Sequence, residues 1–343
     1  MNKNFENAIK NIPQKVPPIW FMRQAGRYHS HYQNLKKNYT FEELCKTPEL
    51  AAEVAFGPID DFDYDVAILF SDILFPLELL GLDLSYNPGP TFSNYLTPAS
   101  SNLKVTSDYV HEKLSFQAEA VSLAKRILPS NKSFVGFVGG PWTILSYGLN
   151  YKNKSTVSIE QEETFIEKML YDIMMPLLRE NIAMQLDAGA EYIYIFDTNS
   201  SQLNSSYFKN KYLQSLKSQL FHPFKEKIAY FSKNMEVFNN IENNINSLGL
   251  AGLVYPESTG FLNNLKNNNG GFIQGNFSPK SLLKPHKMFI EDFNNFIEQM
   301  KTLDQKQRSG WVCSLNHGVL PKTPEENVRY FIETIRSVFS GNS

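Results

Sequence analysis

The apolar run "IWFMRQAGRY" (19–28) ends in two arginines, Arg23 and Arg27, separated by Gln24, Ala25 and Gly26. Guanidinium groups stay charged at any relevant pH and present a rigid donor fork that matches carboxylates. A solvated surface pair is usually answered by nearby acids. Here the next acid after Arg27 is Glu42, and His29, His31, Lys36 and Lys37 lie between. The segment therefore asks for an external anion. A phosphate ligand usually brings a glycine-rich loop feeding a helix N-terminus, and "NNNGGF" (267–272) is a poor version of one. A carboxylate ligand fits better. Gly26 is expected to let the backbone turn so that Arg27 joins Arg23 at one cleft.

Other residues able to do chemistry stand at the ends of apolar runs. Asp72 ends "VAILFSD" (66–72), Asp197 ends "YIYIFD" (192–197) just before Thr198, and Gln274 and Asn276 close "GFIQGN" (271–276). His317 sits in "WVCSLNHG" (311–318), and Tyr147 follows the Gly-Gly-Pro turn of "GGPWTILSYG" (139–148). Each also has an ordinary reading. Asp72 can cap a turn, Tyr147 can pack with its hydroxyl on backbone, and His317 can be a satisfied core histidine. Asp197 can orient a loop, while Gln274 and Asn276 can satisfy backbone at a strand end. The arginine pair resists such a reading best, because nothing local balances it.

The elements that must position these residues are legible as a repeat. Runs rich in β-branched and aromatic residues occur at 18–23, 66–72, 133–140, 192–197, 228–232, 252–256, 271–276 and 311–318. Several are apolar on both faces, as parallel strands covered by helices should be. Amphipathic stretches such as 111–128 and 164–189 lie between them. Eight strands alternating with helices predict an α/β fold, a closed (β/α)8 TIM barrel, whose function gathers at the C-terminal ends of its strands. An open doubly wound sheet is the alternative, but no early strand is followed by G-x-G-x-x-G. Residues 81–100 read as an inserted hairpin or loop, and Thr323, Pro324 and Glu326 read as a capping box opening the last helix. No linker divides the chain, so 1–343 is expected to be a single domain, with 1–14 a flexible N-terminal segment.

Composition sets the outer bounds. The chain has 343 residues, 42% hydrophobic and 20% charged, as an ordinary globular protein does. A net charge of −2 leaves no basic excess to coat a nucleic acid, so an anion site must be local. Two cysteines, Cys45 and Cys313, cannot make a disulfide framework and point to a reducing compartment. The N-terminus lacks an apolar signal core and no run is long enough to span a bilayer. The cytoplasm, with no membrane partner, is the expected location.

Five collinear blocks carry a more specific resemblance. "PPIWFMRQAGRY" (17–28), "ILFSDIL" (68–74), "GFVGGPWTILSY" (136–147), "IQGNFSP" (273–279) and "NHGVLPKTPEENV" (316–328) resemble blocks of the uroporphyrinogen decarboxylase family in the same order. The resemblance implies a (β/α)8 barrel, usually a homodimer with facing clefts. It implies a cofactor-independent carboxy-lyase that removes carbon dioxide from the four acetate side chains of uroporphyrinogen III. The product would be coproporphyrinogen III, on the way to haem or chlorophyll, with no metal or organic cofactor. Carried over block by block, Arg23 and Arg27 would grip substrate carboxylates, with Gln24, Ala25 and Lys36 beside them, and one arginine could also donate a proton. Asp72 would hold the pyrrole N–H groups. Tyr147, Thr198 and His317 would contact the substrate, and Ile68, Phe137 and Phe196 would shape the apolar wall.

The chain also departs from that family. It reads "DTNSS" (197–201) where the family commonly has Asp-Ser-Trp-Ala-Gly, and "GLVY" (252–255) where it usually has Gly-Leu-Asp-Trp. Two alternatives stay open at this point. One is a zinc-dependent corrinoid methyltransferase of the same superfamily, which would need His and Cys ligands. The other is a tetrapyrrole-binding protein that has lost turnover.

Overall fold

The computed structural model describes residues 1–341 apart from 88, 160–162, 239–240 and 258, with the backbone alone for 241–244. Among the described residues there are nine strands: β1 (Val66–Ile68), β2 (Leu84–Tyr86), β3 (Pro90–Phe92), β4 (Ser133–Gly139), β5 (Tyr192–Asp197), β6 (Ile228–Ser232), β7 (Gly252–Val254), β8 (Phe272–Phe277) and β9 (Trp311–Leu315). Seven of them form one parallel sheet in the order β1-β4-β5-β6-β7-β8-β9. Their side chains are almost all buried because the sheet curls round its own core and helices cover the outside. These strands fall on seven of the eight expected runs.

The eighth run is shorter than its sequence suggests. Only Ile19 pairs, in a parallel bridge with Cys313 of β9. Cys313 N–H donates to Pro18 O at 2.9 Å, and Asp65 N–H, just before β1, donates to Ile19 O at 2.9 Å. Residues 18–20 therefore touch both edges of the sheet and span the gap between β1 and β9. A turn at Phe21–Gln24 then ends the pairing.

The helices follow the amphipathic stretches. Ser107–Ile127 is capped by Thr106, whose side chain accepts from Tyr109 N–H. The 164–189 stretch is helical from Glu163 to Asp187, with a widened π-helical section at Lys168–Met174 just ahead of Pro176. A proline ring clashes with the carbonyl four residues earlier, and a wider turn relieves that clash. Within 81–100, β2 and β3 pair antiparallel as the expected hairpin. Among the described residues no helix is long and apolar enough to cross a membrane.

Two expectations are corrected. Residues 1–14 do not form a loose segment: Lys3–Ile9 is a helix capped by Asn2, and Phe5 and Ala8 are fully buried. Phe5 packs edge-on to Tyr192 at 5.7 Å and against Phe272 at 5.8 Å, so the helix plugs the N-terminal end of the barrel. The last helix, Glu325–Ser340, has Pro324 at its N-cap and no side-chain cap. Thr323 Oγ1 is buried without a hydrogen-bond partner, so the capping box does not form.

Candidate active site

The arginine corner is built on backbone strain at Arg23 itself. Arg23 has φ 60°, a left-handed conformation that costs a side-chain-bearing residue free energy. Gly26 is not among the positive-φ residues, so the turn expected there is made three residues earlier. Gln24 holds the corner in place. Its side chain is buried, Nε2 donates to Val66 O of β1 at 2.9 Å, and Oε1 accepts from Phe21 N–H at 3.3 Å. Tyr28 locks the same turn by donating its hydroxyl to Gln24 O at 2.8 Å. Gln24 thus spends its side chain on the fold and turns it away from the cleft.

Arg23 and Arg27 are both exposed. Among the described residues neither makes an ion pair. The stem of Arg23 lies against Gly318, where an added Cβ would sit 2.5 Å from Arg23 Cδ. The glycine of "NHG" leaves the channel along which the arm reaches the rim. Arg23's charge is felt by Asp72, Tyr147 and His317, so four residues from four separate sequence blocks meet at one end of the barrel. Arg27 acts on Tyr32, whose ring packs at 5.6 Å on Phe70, two residues before Asp72.

Asp72 lies just past β1 with Oδ1 accepting from Leu74 N–H at 2.8 Å. This is the turn-capping role its sequence allowed, and it engages Oδ1 alone. Burial pushes the carboxyl above the usual carboxylate range, while Leu74 N–H, the Tyr86 hydroxyl and Arg23 pull it back. Glu78 adds to the upward push. A carboxylate kept ionised in such a place has the most to gain from a cation arriving beside it. Tyr147 is half-buried, and burial and then the Asp72 charge raise its hydroxyl, so it stays a neutral donor.

His317 is also neutral. Burial first, then the charges of Arg23 and Lys233, hold its imidazole down to about 4. Gly318 N–H donates to Nδ1 at 2.8 Å, which puts the ring proton on Nε2. The ring stands edge-on to Phe231 at 5.8 Å. Phe231 continues to Phe196 at 6.3 Å, and Phe196 to Phe137 at 5.6 Å. An aromatic arc thus runs over β4, β5 and β6 to the histidine, with Ile68 buried at the end of β1. The arc gives the rim one apolar wall.

Several expected residues serve the frame instead. Asp197 is fully buried: Oδ1 accepts from Thr143 Oγ1 at 2.7 Å and Thr143 N–H at 3.1 Å, and Oδ2 from Tyr212 at 2.6 Å and Tyr230 at 2.9 Å. Gly140 is required beside it, since an added Cβ would lie 2.2 Å from Asp197 Cγ. Gln274 Nε2 donates to Ser314 at 3.1 Å, and Asn276 Nδ2 to Glu257 O at 3.0 Å. Thr198 and Ala25 are half-buried near the rim, whereas Lys36 is exposed at the end of helix Ser30–Leu35 and is not drawn into the Arg23–Asp72 group.

The departures from the family blocks have local partners. In "DTNSS", Asn199 bonds to Thr143 and Ser146, and Ser200 bridges Asp197 O and Ser232. In "GLVY", Val254 is buried, and Tyr255 packs on Phe238 at 4.6 Å while its hydroxyl donates to Thr259 O. Cys313 is buried within β9 and Cys45 within helix Phe41–Lys46. Among the described residues no three His, Cys, Asp or Glu side chains are placed to share a metal ion.

Sequence reasoning missed four rim residues. Phe231 was hidden because "IAYFS" reads as uniform core. Tyr86 belongs to the hairpin and approaches Asp72 only through the fold. Lys233 follows β6 beside His317. Lys152 lies 5.5 Å above the Tyr147 ring and reaches Pro90 O of β3 at 3.4 Å. A lysine just past a strand end was the available signal for Lys233. A separate groove of about 550 Å³ runs between Gly260–Asn263 and Asp292–Met300, and it contains none of the charged rim residues.

Comparison with known proteins finds relatives over nearly the full length of the chain. The sequence model of the family described as "Uroporphyrinogen decarboxylase (URO-D)" matches residues 1–338. The chain is 31% identical over 345 residues to a protein named uroporphyrinogen decarboxylase from Geobacter sulfurreducens, with 98% of each covered. It is 29% identical over 344 residues to one of the same name from Geotalea daltonii, again with 98% of each covered. Among solved structures, a methyltransferase from Methanosarcina mazei superposes with a TM-score of 0.73 at 18% identity, covering 98% of both chains, which is a likeness of fold.

Proposed function

Because the chain belongs to the uroporphyrinogen decarboxylase family, we propose that it removes carbon dioxide from the acetate side chains of uroporphyrinogen III to give coproporphyrinogen III. The observation that carries this reading is the meeting of Arg23, which makes no ion pair among the described residues, with half-buried Asp72 beside an aromatic wall. A polycarboxylate macrocycle has the complementary features: charged arms, an apolar face and inward pyrrole N–H groups.

The reaction needs an electron sink. A proton added to a pyrrole ring carbon makes the ring cationic. The acetate's C–C bond then breaks, its electron pair enters the ring, and CO2 leaves. A proton delivered to the exocyclic carbon makes the methyl group, and loss of the ring proton restores the pyrrole. The net change is one carboxylate and one proton consumed, one methyl group and one CO2 formed. Ionised Asp72 stabilises the cationic ring more than the neutral one, so its contribution grows toward the transition state. Arg23 and Arg27 pin carboxylates in the orientation for reaction. Neutral His317 offers Nε2–H and Tyr147 its hydroxyl, both as donors to substrate oxygens. Lys152 and Lys233 extend the positive rim toward the remaining arms. The substrate supplies the electron delocalisation, so the proposal includes no cofactor, and it includes two copies of the chain with facing clefts.

Anaerobic incubation with uroporphyrinogen tests this, with the eight- to four-carboxylate species separated by chromatography. Stepwise appearance of the seven-, six-, five- and four-carboxylate products is expected. Undiminished eight-carboxylate substrate would overturn the proposal, and tight binding without conversion would leave a tetrapyrrole carrier in its place.

A further inference from the structure

The hairpin formed by β2 and β3 is an insertion between β1 and the long helix Ser107–Ile127, and it brings one side chain to the reaction centre. Tyr86, the last residue of β2, is wedged with its ring 4.7 Å from Phe41 and 6.3 Å from Phe75. Phe75 lies three residues after Asp72. The Tyr86 hydroxyl is buried, meets no partner at full hydrogen-bond geometry, and faces the Asp72 carboxylate closely enough to pull it down. A buried hydroxyl left unbonded costs free energy. Asp72, for its part, has Oδ1 committed to Leu74 N–H. The two groups are complementary: a phenol donates and a carboxylate accepts.

We propose that Tyr86 is a positioning residue for Asp72, its hydroxyl donating to Oδ2 so that the carboxylate stays ionised and aimed at the cleft. This rests on the catalytic reading of Asp72. The other groups facing Asp72 are Arg23 from the corner, Glu78 from the following helix, Tyr147 from helix Pro141–Gly148 and Cys45 from helix Phe41–Lys46. Glu78 is itself paired with Lys46 at 2.9 Å. Of these, Arg23 is the only cation acting directly on Asp72, and it is exposed. A buried donor is therefore the more persistent support for the charge.

The test is an infrared titration of the Asp72 carboxyl band in the free protein, the band being assigned by its absence in Asp72→Asn. Tyr86→Phe keeps the ring between Phe41 and Phe75 and removes only the hydroxyl. The midpoint should move up by about half a pH unit or more, because a donor to the ionised form is lost. Tyr86→Met, which keeps an apolar side chain, should shift it the same way. An unchanged midpoint in both variants, with unfolding temperatures near that of the parent, overturns the proposal. With uroporphyrinogen as substrate, Tyr86→Phe should lower kcat about threefold to tenfold at constant KM, which a packing role would not do. The titration needs no turnover, so its result stands apart from the decarboxylation assay.

Discussion

Asp72 and His317 show how one cleft shifts two titratable groups in opposite directions. Burial lifts Asp72 above the usual carboxylate range, so the ionised form is lost earlier as pH falls. Decarboxylation should accordingly decline on the acid side while an exposed carboxylate, near about 3.9, is still ionised. Asp72→Asn should lower kcat by about a hundredfold or more while KM changes little, and equal losses in both would contradict a charge acting mainly in the transition state. His317 behaves inversely. Held down to about 4, it is neutral through the physiological range. Its ring-proton NMR shifts should therefore stay flat from neutral pH downward until that value is approached. A titration near the ordinary value of about 6.5 would show that it is more exposed to water than this rim allows.

Elements decide which of these residues meet. Gly318 and Gly140 both give up a Cβ, for different neighbours, and their alanine variants should part company. In Gly318→Ala the obstacle is the Arg23 arm, which can swing aside, so unfolding temperature should hardly move while substrate KM rises. In Gly140→Ala the obstacle is Asp197, fixed by four hydrogen bonds, so chemical denaturation should show a loss of about 2 kcal/mol or more. The strand positions were legible because aromatic and β-branched runs recur with helical stretches between them. The same pattern placed Asp72 and His317 at strand ends and Tyr147 past the turn that follows one. It could not separate Asp72 from Asp197, since both terminate an apolar run. Only the fold brings Thr143, Tyr212 and Tyr230 around one of them. Nor could spacing reveal that Arg23 carries the left-handed turn, or that Thr323 lies buried instead of capping, because tertiary contacts override local propensity at both places.

At the scale of the molecule the N-terminal helix belongs with strands far along the chain. The Lys3–Ile9 helix plugs the barrel against Tyr192 and Phe272, and Asn11 donates to Gly271 O at 2.9 Å. Phe5→Ala should cost about 3 kcal/mol of stability, read by denaturant unfolding, whereas a loose N-terminal segment would cost nothing. The segment at 18–20 reaches further still, since its partner lies in β9. A ribosome feeding this chain out presents residues 18–20 early and their partner strand some three hundred residues later. Until then both sheet edges stay open to other chains, the exposure that chaperones guard against. A message cut short before Trp311 yields a product that cannot close, and quality-control proteases should meet it as an unfinished sheet.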